Sequence, residues 1–140
     1  MLFKLPSIAI ACMLILSGCT VEPEPINFGT DACNYCKMNI VDSQHAAEFV
    51  TKKGKIYKFD AIECMMNQMK DFESDEIALF MVSDYTMPGE LTDAVTATYL
   101  RTESIPSPMG GFLTGFRNVE EAEKILSNAE GEQFDWNQLK

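Results

Sequence analysis

An α+β fold, built from two small ββα(β) hairpin–helix units packed as one compact domain, is predicted by three observations. Two pairs of β-rich runs recur along the chain. Each pair is followed by a helix that carries a capping signature and an apolar face at helical spacing. The 122 residues left after an apparent leader suit one domain with its own core.

Residues 1–18 read as a lipoprotein signal peptide. Lys4 sits in a short n-region, and S-I-A-I-A-C-M-L-I-L is apolar but too short to cross a bilayer as a stable helix. The run ends in L-S-G-C, which looks like a bacterial lipobox with cleavage before Cys19 and acylation at that residue. Several acyl chains give a stable anchor where one is marginal. Residues 19–30, proline-rich and without periodicity, are expected to form a lipidated extended tether, with the working domain at 31–140. These features predict a protein lipid-anchored in the bacterial cell envelope and facing the periplasm. Inner and outer membrane are not decided, although Thr20 is not the Asp associated with inner-membrane retention.

Within the domain, A-A-E-F-V-T-K and K-I-Y-K-F form a hairpin around Lys53-Gly54. D-A-I-E then reads as a capping box, Asp60 at the N-cap and Glu63 at N3. It opens a helix with Ile62, Met65, Met66, Met69 and Phe72 on one stripe. I-A-L-F-M-V (77–82) is a short apolar run with the length of a buried strand. V-T-A-T-Y-L and G-F-L-T-G-F supply the second pair of strands. N-V-E-E caps the second helix through Asn118 and Glu121, with Ala122, Ile125 and Leu126 facing inward. The tail F-D-W-N-Q-L is expected to return Trp136 to the body.

Charge and cysteine usage narrow the function. Without Lys4, ten Lys and Arg face twenty-one Asp and Glu, near −11, so nothing here would release counterions from a nucleic acid. Cys12 leaves with the leader and Cys19 is committed to lipid. Cys33, Cys36 and Cys64 remain, an odd number in a compartment that favours disulfides. At least one thiol is free or committed elsewhere.

D-A-C-N-Y-C-K-M places Cys33, Cys36 and Met38 within six residues. A thioredoxin-like pair would follow a strand and open a helix; this one follows a tether and precedes a hairpin. Zinc wants four ligands, and Cys64 and His45 offer no tidy spacing for them. Haem attachment needs C-x-x-C-H, and Lys37 stands in that place. Cu(I) accepts low coordination numbers and prefers thiolate and thioether, which suits the pair and Met38. His45, the single imidazole, reads by default as a hydrogen-bonded side chain, with a donor role by proximity as the alternative. Met66 and Met69 belong to the apolar helix stripe. Met87 and Met109, in loops beside proline and glycine, are candidates to face a metal. Cys64, one position off the stripe, reads as a buried thiol or a ligand.

The same residues carry a family resemblance. D-A-C-N-Y-C-K-M-N-I, K-F-D-A-I-E-C-M-M, V-S-D-Y, A-T-Y-L and P-M-G-G-F, in order across residues 31–136, resemble the NosL family, lipoproteins accessory to nitrous oxide reductase. The resemblance implies two ββαβ halves, a fold similar to that of the organomercurial lyases. It further implies a Cu(I) chaperone that assembles the copper centres of that reductase, with copper-supplying membrane or periplasmic proteins as its other partners. Cys36 and Met38 match the family pattern most directly and Cys33 next. One departure is Lys37, where the family has a small residue such as Gly. The reading is thus a metallochaperone with Cu(I) as cargo, and metal donors drawn from Cys33, Cys36, Met38, His45, Met109 and Cys64. The rival is a membrane-tethered thiol–disulfide redox partner using Cys33 and Cys36.

Overall fold

A computed structural model describes residue 18 and residues 20–140. The leader apart from Gly18, and the lipidated Cys19, lie outside the described residues, among which no helix is long and apolar enough to cross a membrane.

Strand β1 (Ala47–Thr51) turns through Gly54, at φ 82°, into β2 (Ile56–Phe59). A side chain would resist that left-handed conformation, which is why the turn carries glycine. Helix α1 (Ile62–Gln68) follows and tightens into a 3₁₀ turn at Met69–Asp71. Strands β3 (Ile77–Ser83) and β4 (Leu91–Asp93) complete an antiparallel sheet in the order β2-β1-β3-β4. The second unit comprises β5 (Thr98–Arg101), β6 (Leu113–Phe116), α2 (Val119–Leu126) and β7 (Glu132–Phe134), with sheet order β6-β5-β7. A short α3 (Trp136–Leu139) ends the chain. In both units the first strand is central, flanked by its hairpin partner and by the strand after the helix. The two ββαβ halves expected from the sequence therefore share one topology.

Strand β1 is buried along its whole length, and its alternating faces meet different cover. Phe49 stacks with Tyr57, Phe59, Phe72 and Phe80 at centroid separations of 4.8, 5.3, 5.1 and 6.2 Å. Each such pair adds roughly 0.5–1.5 kcal/mol beyond area burial. The other face, with Glu48 and its cross-strand neighbour Lys58, lies under residues 24–31. The Glu24 N–H donates to Glu48 Oε1 at 2.9 Å, and Lys58 Nζ donates to the Pro25 carbonyl at 2.9 Å and to Asp31 at 2.8 Å. The part of the expected tether from Glu24 onward is thus moored to the domain. Trp136 is buried between the sheets, 5.0 Å from Phe80 and 6.4 Å from Tyr99. Ala122, Ile125 and Leu126 seat α2 on the second sheet.

Several local expectations need correction. The N-cap of α1 is Ala61, and no side chain caps it. Asp60 and Glu63 are both drawn into tertiary contacts instead, Asp60 with the Cys36 thiol and Glu63 with Ser107 and the Leu113 N–H. Asn118 does occupy the N-cap of α2, yet its side chain makes no capping bond. The capping box of the described residues is Asp135 with Gln138, in the tail. Strand β3 is half-covered in its middle rather than buried throughout.

Candidate metal centre

Residues 32–39 close a tight loop, pinned by a bridge between Ala32 and Asn39. The Cys33 N–H donates to the Met38 carbonyl at 2.8 Å, and the Lys37 N–H to the Cys33 carbonyl at 3.0 Å. The loop is tied to the edge of β2 by Asn34, whose N–H donates to the Lys58 carbonyl at 2.8 Å. Its side-chain oxygen accepts the Lys58 N–H at 2.7 Å. Asn34 so imitates one residue of a neighbouring strand and brings both thiols over the end of β2.

That end carries Asp60. The chain then enters α1, whose first turn returns Cys64 to the same point. The Sγ atoms of Cys33, Cys36 and Cys64 and a carboxylate oxygen of Asp60 all lie within 4.8 Å of one another. The three cysteines are free thiols. Cys33, Cys64 and Asp60 are buried, while Cys36 is half-buried and opens toward solvent. The Cys36 thiol donates to Asp60 Oδ1 at 3.3 Å, and the Cys36 N–H points to Cys33 Sγ at 3.4 Å. Burial pushes the Cys36 thiol above its ordinary value; the Met38 N–H pulls it back, and Cys33 and Asp60 add to the rise. Burial pushes the Cys64 thiol up still further, with Asp60 next among the causes. At neutral pH Cys36 and Cys64 hold their protons until something displaces them.

Met38, on the same loop as Cys33 and Cys36, has 47% of its surface exposed. Met109, 42% exposed, sits on the β5–β6 loop, whose base is fastened to α1. Ser107 Oγ donates to Glu63 Oε1 at 2.8 Å, and the Leu113 N–H donates to the same oxygen at 3.3 Å. Gly111 makes this approach possible, because a Cβ there would lie 2.3 Å from Glu63 Oε1. Met109 thus rides on a loop held by the residue next to Cys64.

His45 is placed elsewhere. It is buried, with Nδ1 2.9 Å from Asp42 Oδ2 and Nε2 3.2 Å from Thr114 Oγ1. Both ring nitrogens are engaged, and the ring is not among the donors that converge with the thiols. Met65 is core, Met66 and Met69 pack on it, and Met87 lies in reach of Arg117. The residue that sequence reasoning missed is Asp60. Its D-x-x-x-C spacing to Cys64, one helical turn, is the signal in the sequence, masked there by the equally good D-x-x-E match to a capping box.

Lys37 adopts φ 68° at the reversal of the sulfur loop, a left-handed conformation that costs a side-chain-bearing residue roughly 1 kcal/mol or more. This is a physical reason for glycine at that position. Its ammonium rests on the Asn34 carbonyl. Lys37→Gly is expected to raise the unfolding free energy by up to about 1 kcal/mol in urea titrations. A loss of stability would instead show that the bond to Asn34 outweighs the strain.

A family model described as NosL matches residues 25–140, so the chain belongs to that family. The fold is similar to the crystal structure of the copper chaperone NosL from Shewanella denitrificans. The TM-score is 0.73 at 18% identity, over 84% of this chain and 95% of the other. No curated protein sequence matches the chain.

Proposed function

We propose that this NosL-family protein is a Cu(I) metallochaperone and not an enzyme, carried to the periplasmic face of the cell envelope by acylation at Cys19. Its client would be the apoprotein of nitrous oxide reductase, and copper-supplying membrane or periplasmic proteins would load it. The observation that carries the reading is the convergence of three unbridged thiols, two of them on the loop that also carries the exposed Met38.

Cu(I) as cargo fits this donor set, because a soft d¹⁰ ion takes two or three sulfur ligands without a fixed geometry. Cys36, half-buried, and Met38, exposed, meet it first. One of the buried thiols, Cys33 or Cys64, then completes a trigonal sulfur environment as the thiols lose their protons. Release would begin at the same donor: an acceptor's donor enters while Met38, neutral and exposed, lets go first. An exposed donor makes such exchange quick, since no closed cage has to open.

The redox alternative is disfavoured by electrostatics. An attacking thiol in disulfide exchange needs thiolate at neutral pH. Here burial and the neighbouring Asp60 push Cys36 the other way. The two readings separate in an anaerobic Cu(I) titration of the reduced protein against a chromophoric chelator. One tight equivalent is expected, lost in Cys36→Ser and weakened about tenfold in Met38→Leu, a change near 1.4 kcal/mol. No competitive binding, with Cys33 and Cys36 closing readily to a disulfide, would overturn the chaperone reading in favour of the redox partner.

A further inference from the structure

We infer that the same cluster is also a closed four-donor site for a borderline divalent cation, Zn²⁺ above all, with Cys33, Cys36, Cys64 and Asp60 as its ligands. The inference rests on the cluster being a metal centre, and it starts from the one donor that Cu(I) does not explain.

Asp60 is a hard carboxylate buried among three sulfurs. Cu(I) gains little from such an oxygen, whereas Zn²⁺ binds thiolate and carboxylate together, almost always in tetrahedral fours. The spacing is within reach of that tetrahedron. With Zn–S near 2.3 Å and Zn–O near 2.1 Å, ligand atoms stand about 3.5–3.8 Å apart. The four atoms here are already within 4.8 Å of one another, so adjustments of about an ångström by side chains close the cage.

Charge points the same way. Three thiolates and a carboxylate around Zn²⁺ leave a net −2, the charge of an ordinary Cys₄ zinc site. Around Cu(I) the same four groups would leave −3, a costly burden in a buried place. Cu(I) therefore favours an arrangement that turns away from Asp60 toward Met38, while Zn²⁺ favours one that keeps Asp60 and ignores Met38. One set of thiols thus serves two cations through different fourth partners. In a disulfide-forming compartment, bound Zn²⁺ would hold three adjacent thiols apart until Cu(I) replaced it by ligand exchange, with no electron transferred.

The test uses the full-length chain with Cys12→Ser and Cys19→Ser, reduced and anaerobic, titrated with Zn²⁺ against a chromophoric chelator and with Co²⁺ as a spectroscopic probe. One equivalent of Zn²⁺ is expected, and Co²⁺ should give the intense visible bands of tetrahedral thiolate coordination. Asp60→Asn should weaken Zn²⁺ about tenfold or more while shifting Cu(I) less than about threefold; Met38→Leu should do the reverse. Equal losses of both metals in Asp60→Asn, or a weak octahedral Co²⁺ spectrum, would overturn the inference. If Asp60→Asn does not fold, the Co²⁺ spectrum of the parent decides. Tight Cu(I) with no Zn²⁺ would sink this inference alone, whereas neither metal binding would sink the chaperone reading with it.

Discussion

Glu48→Gln is expected to stabilise the protein by roughly 3 kcal/mol at pH 8 and to leave it nearly unchanged at pH 4. Glu48 is fully buried in β1, beside its central Phe49, and burial pushes its carboxyl up to about 7 from an ordinary 4.5. The Glu24 N–H and the Lys58 charge pull it down, and Glu24 and Asp31 push it up, but burial dominates. Its Oε1 accepts from Glu24, while Oε2 is buried without a partner among the described residues. Between pH 4.5 and 7 the folded chain holds a proton that the unfolded chain has released, so stability falls as pH rises through this window. Glutamine keeps the shape without the charge and removes the slope.

Asp31 works with the opposite sign. Its hydrogen bond from Lys58 holds it below its ordinary 3.8, so its contribution is present above that value and is lost in acid. Urea unfolding of the parent should therefore show maximal stability in mildly acidic solution. A parent curve that is flat or rising from pH 5 to 8 would refute the assignment to Glu48.

The second large effect concerns His45. His45→Leu is expected to cost about 2–4 kcal/mol while changing Cu(I) affinity less than about twofold. The imidazole joins Asp42, ahead of β1, to Thr114 in β6, and so fastens one half of the fold to the other. Thr114 is fully buried, and losing its partner leaves a hydroxyl that water cannot reach. Pairing the change with Thr114→Val removes that orphan and should recover part of the loss, which a double-mutant cycle in urea would measure. A drop of tenfold or more in copper affinity, with the fold intact, would instead make His45 a donor.

The fold was readable because its signals are local. Period-two runs around Gly54 and apolar stripes at Ile62 and Ala122 depend on neighbours a few residues away. Strands β4 and β7, three residues each, were too short for any period to register. Capping was misread because Asp60 and Glu63 have the right spacing for a box, yet each has a buried partner that only tertiary structure supplies. The site was readable in the same measure. Cys33, Cys36 and Met38 stand together in the chain and stay together in space. Cys64 and Asp60 join them only because Asn34 moors the loop to β2, a pairing 24 residues long. His45 drew attention by being the single imidazole, a matter of composition that says nothing of where a ring points.

The repeated strand order carries a consequence for the order of assembly. Within each half, hairpins close over short stretches, such as the four residues between β1 and β2. The ties across the seam join residues 44 apart, at Glu63 and Ser107, and 69 apart, at His45 and Thr114. Closing longer loops costs more chain entropy, so the hairpins close before these two ties form. All four clustered donors belong to the first half, and Met109 belongs to the second. Breathing at the seam would swing the Met109 loop away like one leaf of a hinge and leave the thiols assembled on the other.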